Sequence, residues 1–449
     1  MKLYSSNNGY KLYQGDMLDM LEVIEPETID SIVTDPPYEL NFMGKGWDNA
    51  GVSFNKETWE KSFKVLKPGG YLLAFGGSRT YHRIAVAIED AGFEIRDTIM
   101  WLYGSGFPKS MSLSKGLEAR EKLGNAGTRN KRKIEQACDG EEYTLKQTNN
   151  GAMGEMIETT RKQYAPDTDL AKQWQGWGTC LKPSFEPIIV ARKPFKGSLV
   201  DNVIENGVGG INIDECRVET NDKYSYPNGG GGSSFGIGKG VDGTRTKPTE
   251  SNPLGRFPAN TILTYDETDF DEVCGMMPYT KSGGGDKSTK CGNTFLGTGY
   301  GGTNTNKYEA NEGSASRYFY CAKASKKDRD EGLDSFNDFM LPKTGKEKRL
   351  TVGGGKNISL PRKNTHPTVK PTELMQYLVR LVTPNGGTIL DPFNGSGSTG
   401  KAVMYENKER NKNYKYIGIE LTEEYLPIAQ ARIEYVIGDV RTDEFDDLD

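Results

Sequence analysis

Cysteine and histidine are scarce in this 449-residue chain. Cys138, Cys180, Cys216, Cys274, Cys291 and Cys321 are scattered with no C-x-x-C pair, and His82 and His366 are the only histidines. That set has no spacing suited to structural zinc and no disulfide framework. Free thiols and no metal site are therefore the expectation. Long apolar runs are missing as well. None approaches the ~18 residues of a membrane span, and Met1 to Tyr10 is too polar for a secretory leader. The net charge of −5 shows no basic excess, which argues against a uniformly cationic nucleic-acid binder. The average conceals an asymmetry, however. Glu420 to Asp449 carries ten acids against two basic residues, whereas Lys323 to Lys370 carries twelve basic residues against six acids. A basic face for phosphates can coexist with an acidic tail.

The remainder reads as a folded protein with long polar excursions: 35% hydrophobic residues, 10% aromatic residues and 55 glycines. Its organising stretch is Asp35-Pro36-Pro37-Tyr38, directly after the apolar run Ser31 to Thr34. Such a run reads as a buried parallel strand, which two prolines must end. The carboxyl edge of an open α/β sheet is where ligands bind. There the stretch offers a carboxylate, two carbonyls and a flat ring. Asp35 and a proline carbonyl suit the two hydrogens of an exocyclic amine, and Tyr38 suits the face of its base. A plain strand-ending turn would look the same.

Around this point strands and helices alternate. Lys11 to Tyr13, Tyr71 to Phe75, Ile95 to Trp101, Glu186 to Ala191, Thr388 to Leu390 and Tyr416 to Ile419 read as strands. Met17 to Ile24, Lys56 to Leu66, Thr80 to Ala91, Thr372 to Val382, Ser398 to Asn407 and Glu423 to Tyr435 read as helices. This alternation predicts a mostly parallel sheet with helices on both faces. Phe42 to Phe54, with Gly44, Gly46, Gly51 and Trp47, reads as a loop over the site. Between Tyr103 and Lys182 the pattern dissolves into polar sequence. From Pro194 to Asn364 it is Gly-rich, with islands at Val203 to Val218, Phe257 to Tyr265 and Ser316 to Ala324.

The second motif is Asp391-Pro392-Phe393-Asn394-Gly395-Ser396-Gly397-Ser398-Thr399-Gly400, joining strand to helix. Gly395, Gly397 and Gly400 fit a dinucleotide fingerprint, and Glu420 follows at a strand end, where an acid can take ribose hydroxyls. Gly395 to Lys401 also fits a phosphate-binding loop, but Ala402 stands where Ser or Thr must hold magnesium, which makes that reading poor. A dehydrogenase and an S-adenosylmethionine enzyme both remain open on these residues alone.

The order D-P-P-Y, insertion, Asn364-Thr365-His366-Pro367-Thr368-Val369-Lys370-Pro371, then D-P-F-N-G-S-G-S-T-G resembles the β class of DNA amino-methyltransferases. The islands Gly255 to Asn260 and Arg317 to Lys326 resemble those of prophage-type, site-specific members. The resemblance implies an α/β, Rossmann-like S-adenosylmethionine-dependent methyltransferase fold with a permuted motif order and a large inserted target-recognition region. It implies that Asp35, Pro36, Pro37 and Tyr38 form the catalytic pocket. Asp391, Phe393, Gly395 and Gly397 would cradle the methionine half of S-adenosyl-L-methionine, and Glu420 its ribose. Asp16 would reach the adenine amine of the cofactor. Thr365 and His366 would lie near its carboxylate, although His366 reads equally well as a packing residue.

The expected organisation is a catalytic half at 1–103, a polar insertion at 104–181 and a core strand at 182–194. A target-recognition insertion at 195–363, a cofactor half at 364–437 and an acidic tail at 438–449 complete it. Lys326, Lys327 and Arg329 are the candidate phosphate contacts. The expected partner is double-stranded DNA in the cytoplasm of a bacterial or phage-infected cell, with no membrane. A homodimer and a companion restriction endonuclease are left open. No cysteine follows a proline, so cytosine-C5 chemistry through a thiolate is excluded. Asp before Pro-Pro-Tyr leans towards adenine-N6, with cytosine-N4 as the alternative. A dehydrogenase, a non-catalytic DNA-binding protein, and RNA or protein-glutamine methylation are the more remote readings.

Overall fold

The structure, a computed structural model, describes residues 2–7, 9–40, 51–103, 110–124, 164–219, 254–265, 319–323, 326–336 and 363–438, together with the backbone of short paired strands in the intervening stretches. Ten strands form the main sheet: β1 (Lys2–Asn7), β2 (Tyr10–Gln14), β3 (Ile29–Thr34), β4 (Leu66–Phe75), β5 (Glu94–Tyr103), β6 (Phe185–Arg192), β7 (Thr261–Tyr265), β8 (Tyr320–Lys323), β9 (Thr388–Asp391) and β10 (Lys415–Glu420). Their spatial order is β1-β2-β10-β9-β3-β4-β6-β5-β7-β8. Eight strands run parallel, while β1 and β6 oppose their neighbours. The split core is thus closed at its centre, where β9 from late in the chain pairs with β3 from early in it. β6 inserts between β4 and β5, with Tyr71 opposite Arg192 and Ile99 opposite Ile188.

Period-two alternation divides the core into two layers. Ile32, Leu72, Ile189 and Leu390 turn to one face, against α1 (Met17–Val23), α2 (Lys56–Val65) and α3 (Tyr81–Asp90). Val33, Leu73, Val190 and Ile389 turn to the other, where the cluster includes Leu378, Ala402, Val403 and Ile433. A sheet covered on both faces explains why β3 is buried along its whole length. Its polar members are satisfied in place: Ser31 Oγ lies 2.7 Å from Thr383 Oγ1, and Asp30 pairs with Lys67 Nζ at 2.6 Å. The ladder from β3 to β4 breaks its register between Ile29, opposite Leu66, and Ser31, opposite Tyr71.

One expectation is corrected. Residues 195–363 are not wholly an insertion, because Thr261–Tyr265 and Tyr320–Lys323 extend the core sheet in parallel beyond β5. In addition, the helix Leu199–Asn206 is tied to the core through Asn202, whose Nδ2 donates to the Pro68 carbonyl at 3.1 Å. The helix Thr372–Val382 is buried on every side from Leu374 to Val382. Its polar residues meet the helix Ser398–Arg410, where Arg380 grips Glu406 at 2.7 Å (Nη2–Oε1) and 3.0 Å (Nε–Oε2). Residues 105–184 and 338–362 form a second compact unit. In it Ser114 Oγ donates to the Ala171 carbonyl, and the buried Glu118 carboxylate accepts from the Asp167 N–H at 3.0 Å. Among the described residues no helix is long and apolar enough to cross a membrane, and no cluster of potential metal ligands occurs.

Candidate active site

Four neighbouring parallel strands, β2, β10, β9 and β3, bring acids to one edge of the sheet. Asp16 follows β2, Glu420 ends β10, Asp391 ends β9 and Asp35 follows β3. Three inter-strand spacings of about 4.8 Å set the width of this row at roughly 14 Å. Residues from both ends of the chain, which the sequence could only align by motif, therefore share one edge.

The acids differ in what holds them. Asp16 is exposed and caps α1, its Oδ1 accepting from the Leu18 N–H at 2.8 Å. Glu420 is buried. Its Oε2 accepts from the Gly395 N–H at 2.7 Å and its Oε1 from the Thr422 N–H at 2.8 Å. Burial pushes its carboxyl up to about 7 against the lowering effect of those N–H groups. A carboxylate offers about four acceptor sites, so two bonds leave capacity for a diol. Asp391 is more fully engaged: Thr34 Oγ1 at 2.6 Å, Thr399 Oγ1 at 2.7 Å and the Phe393 N–H at 3.1 Å. Burial pushes it up to about 6. Its side chain organises the turn and ties β9 to β3.

The turn itself requires glycine. Gly395 and Gly397 have φ of +53° and +75°, and a Cβ on Gly395 would meet His366 Nε2 at 3.0 Å. His366 is half-buried, with Nδ1 2.6 Å from the Thr368 carbonyl and its ring edge-on to Tyr425 at 4.6 Å. Burial lowers its pKa to about 4, which keeps the imidazole neutral. Thr365 lies beside it in a segment held from behind by Arg329, whose Nη2 donates to the carbonyls of Asn364 at 3.3 Å and His366 at 2.6 Å. Arg329 thus anchors the Asn364 to His366 segment through Nη2. The side chains of Lys326 and Lys327, at the start of the helix Lys326–Asp330, lie outside the described residues. So do residues 41–50 of the expected covering loop and much of the expected recognition region. Lys401, the lysine of the phosphate-loop alternative, is fully buried and paired with Asp328 at 2.6 Å and Glu331 at 2.8 Å, which removes that reading.

Around Asp35 the sequence reading missed two residues. Lys370 Nζ lies 2.6 Å from Asp35 Oδ2 and 3.4 Å from Glu186 Oε2. Glu186 Oε2 also accepts from the Tyr38 hydroxyl at 2.8 Å. The other Asp35 oxygen, Oδ1, is buried with no hydrogen-bond partner among the described residues. Burial, then the charges of Asp35 and Glu186, push the Tyr38 phenol well above its usual range and keep it neutral. Pro36 is buried, and the Pro37 carbonyl accepts from Ser53 Oγ at 2.5 Å. Lys370 stood in the quoted motif without a role, and the one sign of Glu186 was a charge at the start of an apolar strand.

A family model described as DNA methylase, of the N6 and N4 amino-methyltransferases, matches residues 29–207 and 262–431. The chain belongs to that family. The matched stretches take in β8, all of β7 but its first residue, and both motifs. The type II methyltransferase M2.LlaDCHI of Lactococcus lactis subsp. cremoris is 27% identical over 232 residues, 47% of this chain and 82% of the relative. The type II methyltransferase M.HindIII of Haemophilus influenzae is 23% identical over 243 residues, 45% of this chain and 64% of the relative. Among solved structures, the M1.HpyAVI–SAM complex is similar with a TM-score of 0.35 and 14% identity, covering 94% of this chain and 99% of that one. The protein is thus a DNA methyltransferase of the N6/N4 class with a Rossmann-like fold, and its cofactor is S-adenosyl-L-methionine. The acid row and glycine turn fit that cofactor, because Glu420 retains acceptor capacity beside a tight turn that Gly395 and Gly397 hold in left-handed backbone geometry.

Proposed function

We propose that this chain methylates the exocyclic N6 of adenine at a specific site in double-stranded DNA. The observation that carries the reading is Asp35 Oδ1, a buried acceptor without a partner among the described residues at the carboxyl edge of β3. A buried unsatisfied acceptor costs about 1–3 kcal/mol, and an amine N–H entering the pocket would recover it. Asp35 and the Pro36 carbonyl accept the two amine hydrogens, which favours a pyramidal nitrogen with its lone pair free. Tyr38 offers its ring face to a base that has left the duplex stack, replacing the stacking lost on flipping.

In the cofactor half, Glu420 takes the ribose hydroxyls and Asp16 the adenine amine. Thr365 and the neutral His366 lie towards the methionine end, with Gly395, Gly397 and Phe393 lining the turn and Asp391 supporting it. S-adenosylmethionine supplies an electrophilic methyl group whose sulfur departs with the bonding electron pair. The amine nitrogen forms the new bond with its lone pair, becomes positive, and gives its surplus proton to Asp35. The protein contributes positioning and electrostatics without a covalent enzyme intermediate.

Asp at the first motif position, rather than Ser, supports adenine over cytosine. Incubation of unmethylated genomic DNA with the protein and labelled S-adenosylmethionine, followed by mass spectrometry of the nucleosides, tests this. N6-methyladenine is the expected product, and N4-methylcytosine alone would overturn the assignment.

A further inference from the structure

The pocket around Asp35 contains a second carboxylate that no motif marks. Glu186 lies near the start of β6, and because β6 runs antiparallel it reaches the same edge as the carboxyl ends of its neighbours, with Trp101 of β5 directly opposite. Its Oε2 takes the Tyr38 hydroxyl at 2.8 Å and faces Lys370 Nζ at 3.4 Å, while its Oε1 accepts from the Tyr103 hydroxyl at 3.4 Å. Lys370 is buried beneath Tyr38, Phe75 and Trp101, with Nζ 5.4, 4.9 and 5.9 Å from their ring centres. The ammonium is committed to the two carboxylates and stays charged, since their attraction outweighs the burial that would neutralise it.

Stability alone does not account for this triad. Partly buried ion pairs return little of their desolvation cost, and packed apolar residues of similar volume commonly serve a core as well or better. The triad nevertheless does two geometric things. Lys370 holds Asp35 by Oδ2, which leaves Oδ1 as the open acceptor, and Glu186 holds Tyr38 by its hydroxyl. With two carboxylates to one ammonium the pocket is also net negative, which favours the positive charge that arrives on the amine nitrogen.

We propose that Glu186 is a positioning residue of methyl transfer, fixing the Tyr38 ring and the Lys370–Asp35 pair through one carboxylate. The proposal rests on the reading that Asp35 to Tyr38 receive the target base. It requires that Glu186 affect the chemical step while leaving cofactor binding alone, and that it act through the Tyr38 hydroxyl.

The test measures single-turnover methyl transfer to unmethylated genomic DNA, alongside calorimetric S-adenosylmethionine affinity, for wild type, Glu186→Gln, Tyr38→Phe and the double variant. Loss of a charge-assisted hydrogen bond predicts a rate about ten- to a hundredfold lower in Glu186→Gln, with cofactor affinity within twofold. If the two residues act as one unit, the double variant is no slower than the slower single variant. A Glu186→Gln rate within twofold of wild type, or multiplicative losses in the double variant, overturns the proposal. Should Glu186→Gln fail to fold, Tyr38→Phe still decides, because a rate within twofold for that variant removes the hydroxyl from the argument. Asp35→Ala serves as the reference. If it retains turnover, the pocket reading fails; if it is inactive while Glu186→Gln is normal, only the role of Glu186 fails.

Discussion

The two halves of the split core meet the same edge of the sheet in opposite states. In the cofactor half, each carboxylate oxygen of Asp391 and Glu420 has a hydrogen-bond donor. In the catalytic half, Asp35 has one oxygen on Lys370 and the other buried with none among the described residues. The first pattern holds the turn through bonds the protein itself supplies. The second leaves an open acceptor. On the proposed reading, binding geometry is built into the fold, while the interaction worth most to chemistry is withheld until the target base enters.

The largest expected effect breaks the catalytic side alone. Asp35→Ala should lower methyl transfer by more than about a thousandfold, in the range typical of losing a charged group that acts in the transition state. Its S-adenosylmethionine affinity should stay within a few-fold of wild type, by calorimetry. Weakened cofactor binding with residual turnover would place Asp35 on the other side of the comparison.

Glu420 tests the cofactor half in two ways. On the proposed reading Glu420→Ala removes two charge-assisted bonds to ribose hydroxyls and should weaken S-adenosylmethionine binding by at least about tenfold. An unchanged dissociation constant would place the ribose partner elsewhere. Glu420→Gln tests the strain of keeping that carboxylate. Burial raises Glu420 from 4.5 to about 7 and Asp391 from 3.8 to about 6. The folded state therefore holds these protons more tightly than the unfolded chain does. The resulting stability is fully present below the unfolded values and is lost as pH rises through about 6 and then about 7. Unliganded Glu420→Gln should accordingly gain on wild type between pH 5 and pH 8, by up to about 3 kcal/mol at one unit per 1.36 kcal/mol. Melting curves at the two pH values check this. Parallel curves would mean that Glu420 does not cause the loss.

Much of this edge was legible because its parts are local. The strand before Asp35, the glycine turn and the acid at the end of Tyr416 to Ile419 each announce themselves within ten residues, and motif order joins them. The partners of Asp35 and Tyr38 do not. Lys370 lies 335 positions from Asp35, and Glu186 lies 148 positions from Tyr38. The Tyr38–Glu186 contact exists because β6 inserts between β4 and β5, and the Asp35–Lys370 contact joins the two ends of the split core; no hydrophobic pattern specifies such neighbours. The five-residue strand Thr261–Tyr265 was likewise recognisable as an island, but its membership of the core sheet was not. Surrounding Gly-rich sequence lent it the look of an insertion.

Arg329 and its neighbours give the smallest and sharpest separation. The sequence grouped Lys326, Lys327 and Arg329 as phosphate contacts. The structure ties Arg329 to the carbonyls of Asn364 and His366, beside the glycine turn. The group should therefore divide between the two sides of the comparison. Lys326→Ala with Lys327→Ala should weaken duplex binding about equally for all sequences. It should also reduce the magnitude of the slope of log K against log salt concentration by roughly 1.8, at about 0.9 for each phosphate no longer neutralised. Arg329→Ala should leave that slope unchanged. It should weaken S-adenosylmethionine binding a few-fold instead, because the Asn364 to His366 segment loses its anchor and His366 its fixed place over Gly395. Fluorescence-anisotropy titrations across a salt series, paired with calorimetric cofactor titrations, distinguish the two. A slope that falls in Arg329→Ala would return the arginine to the DNA surface and show that its carbonyl contacts give way when duplex binds.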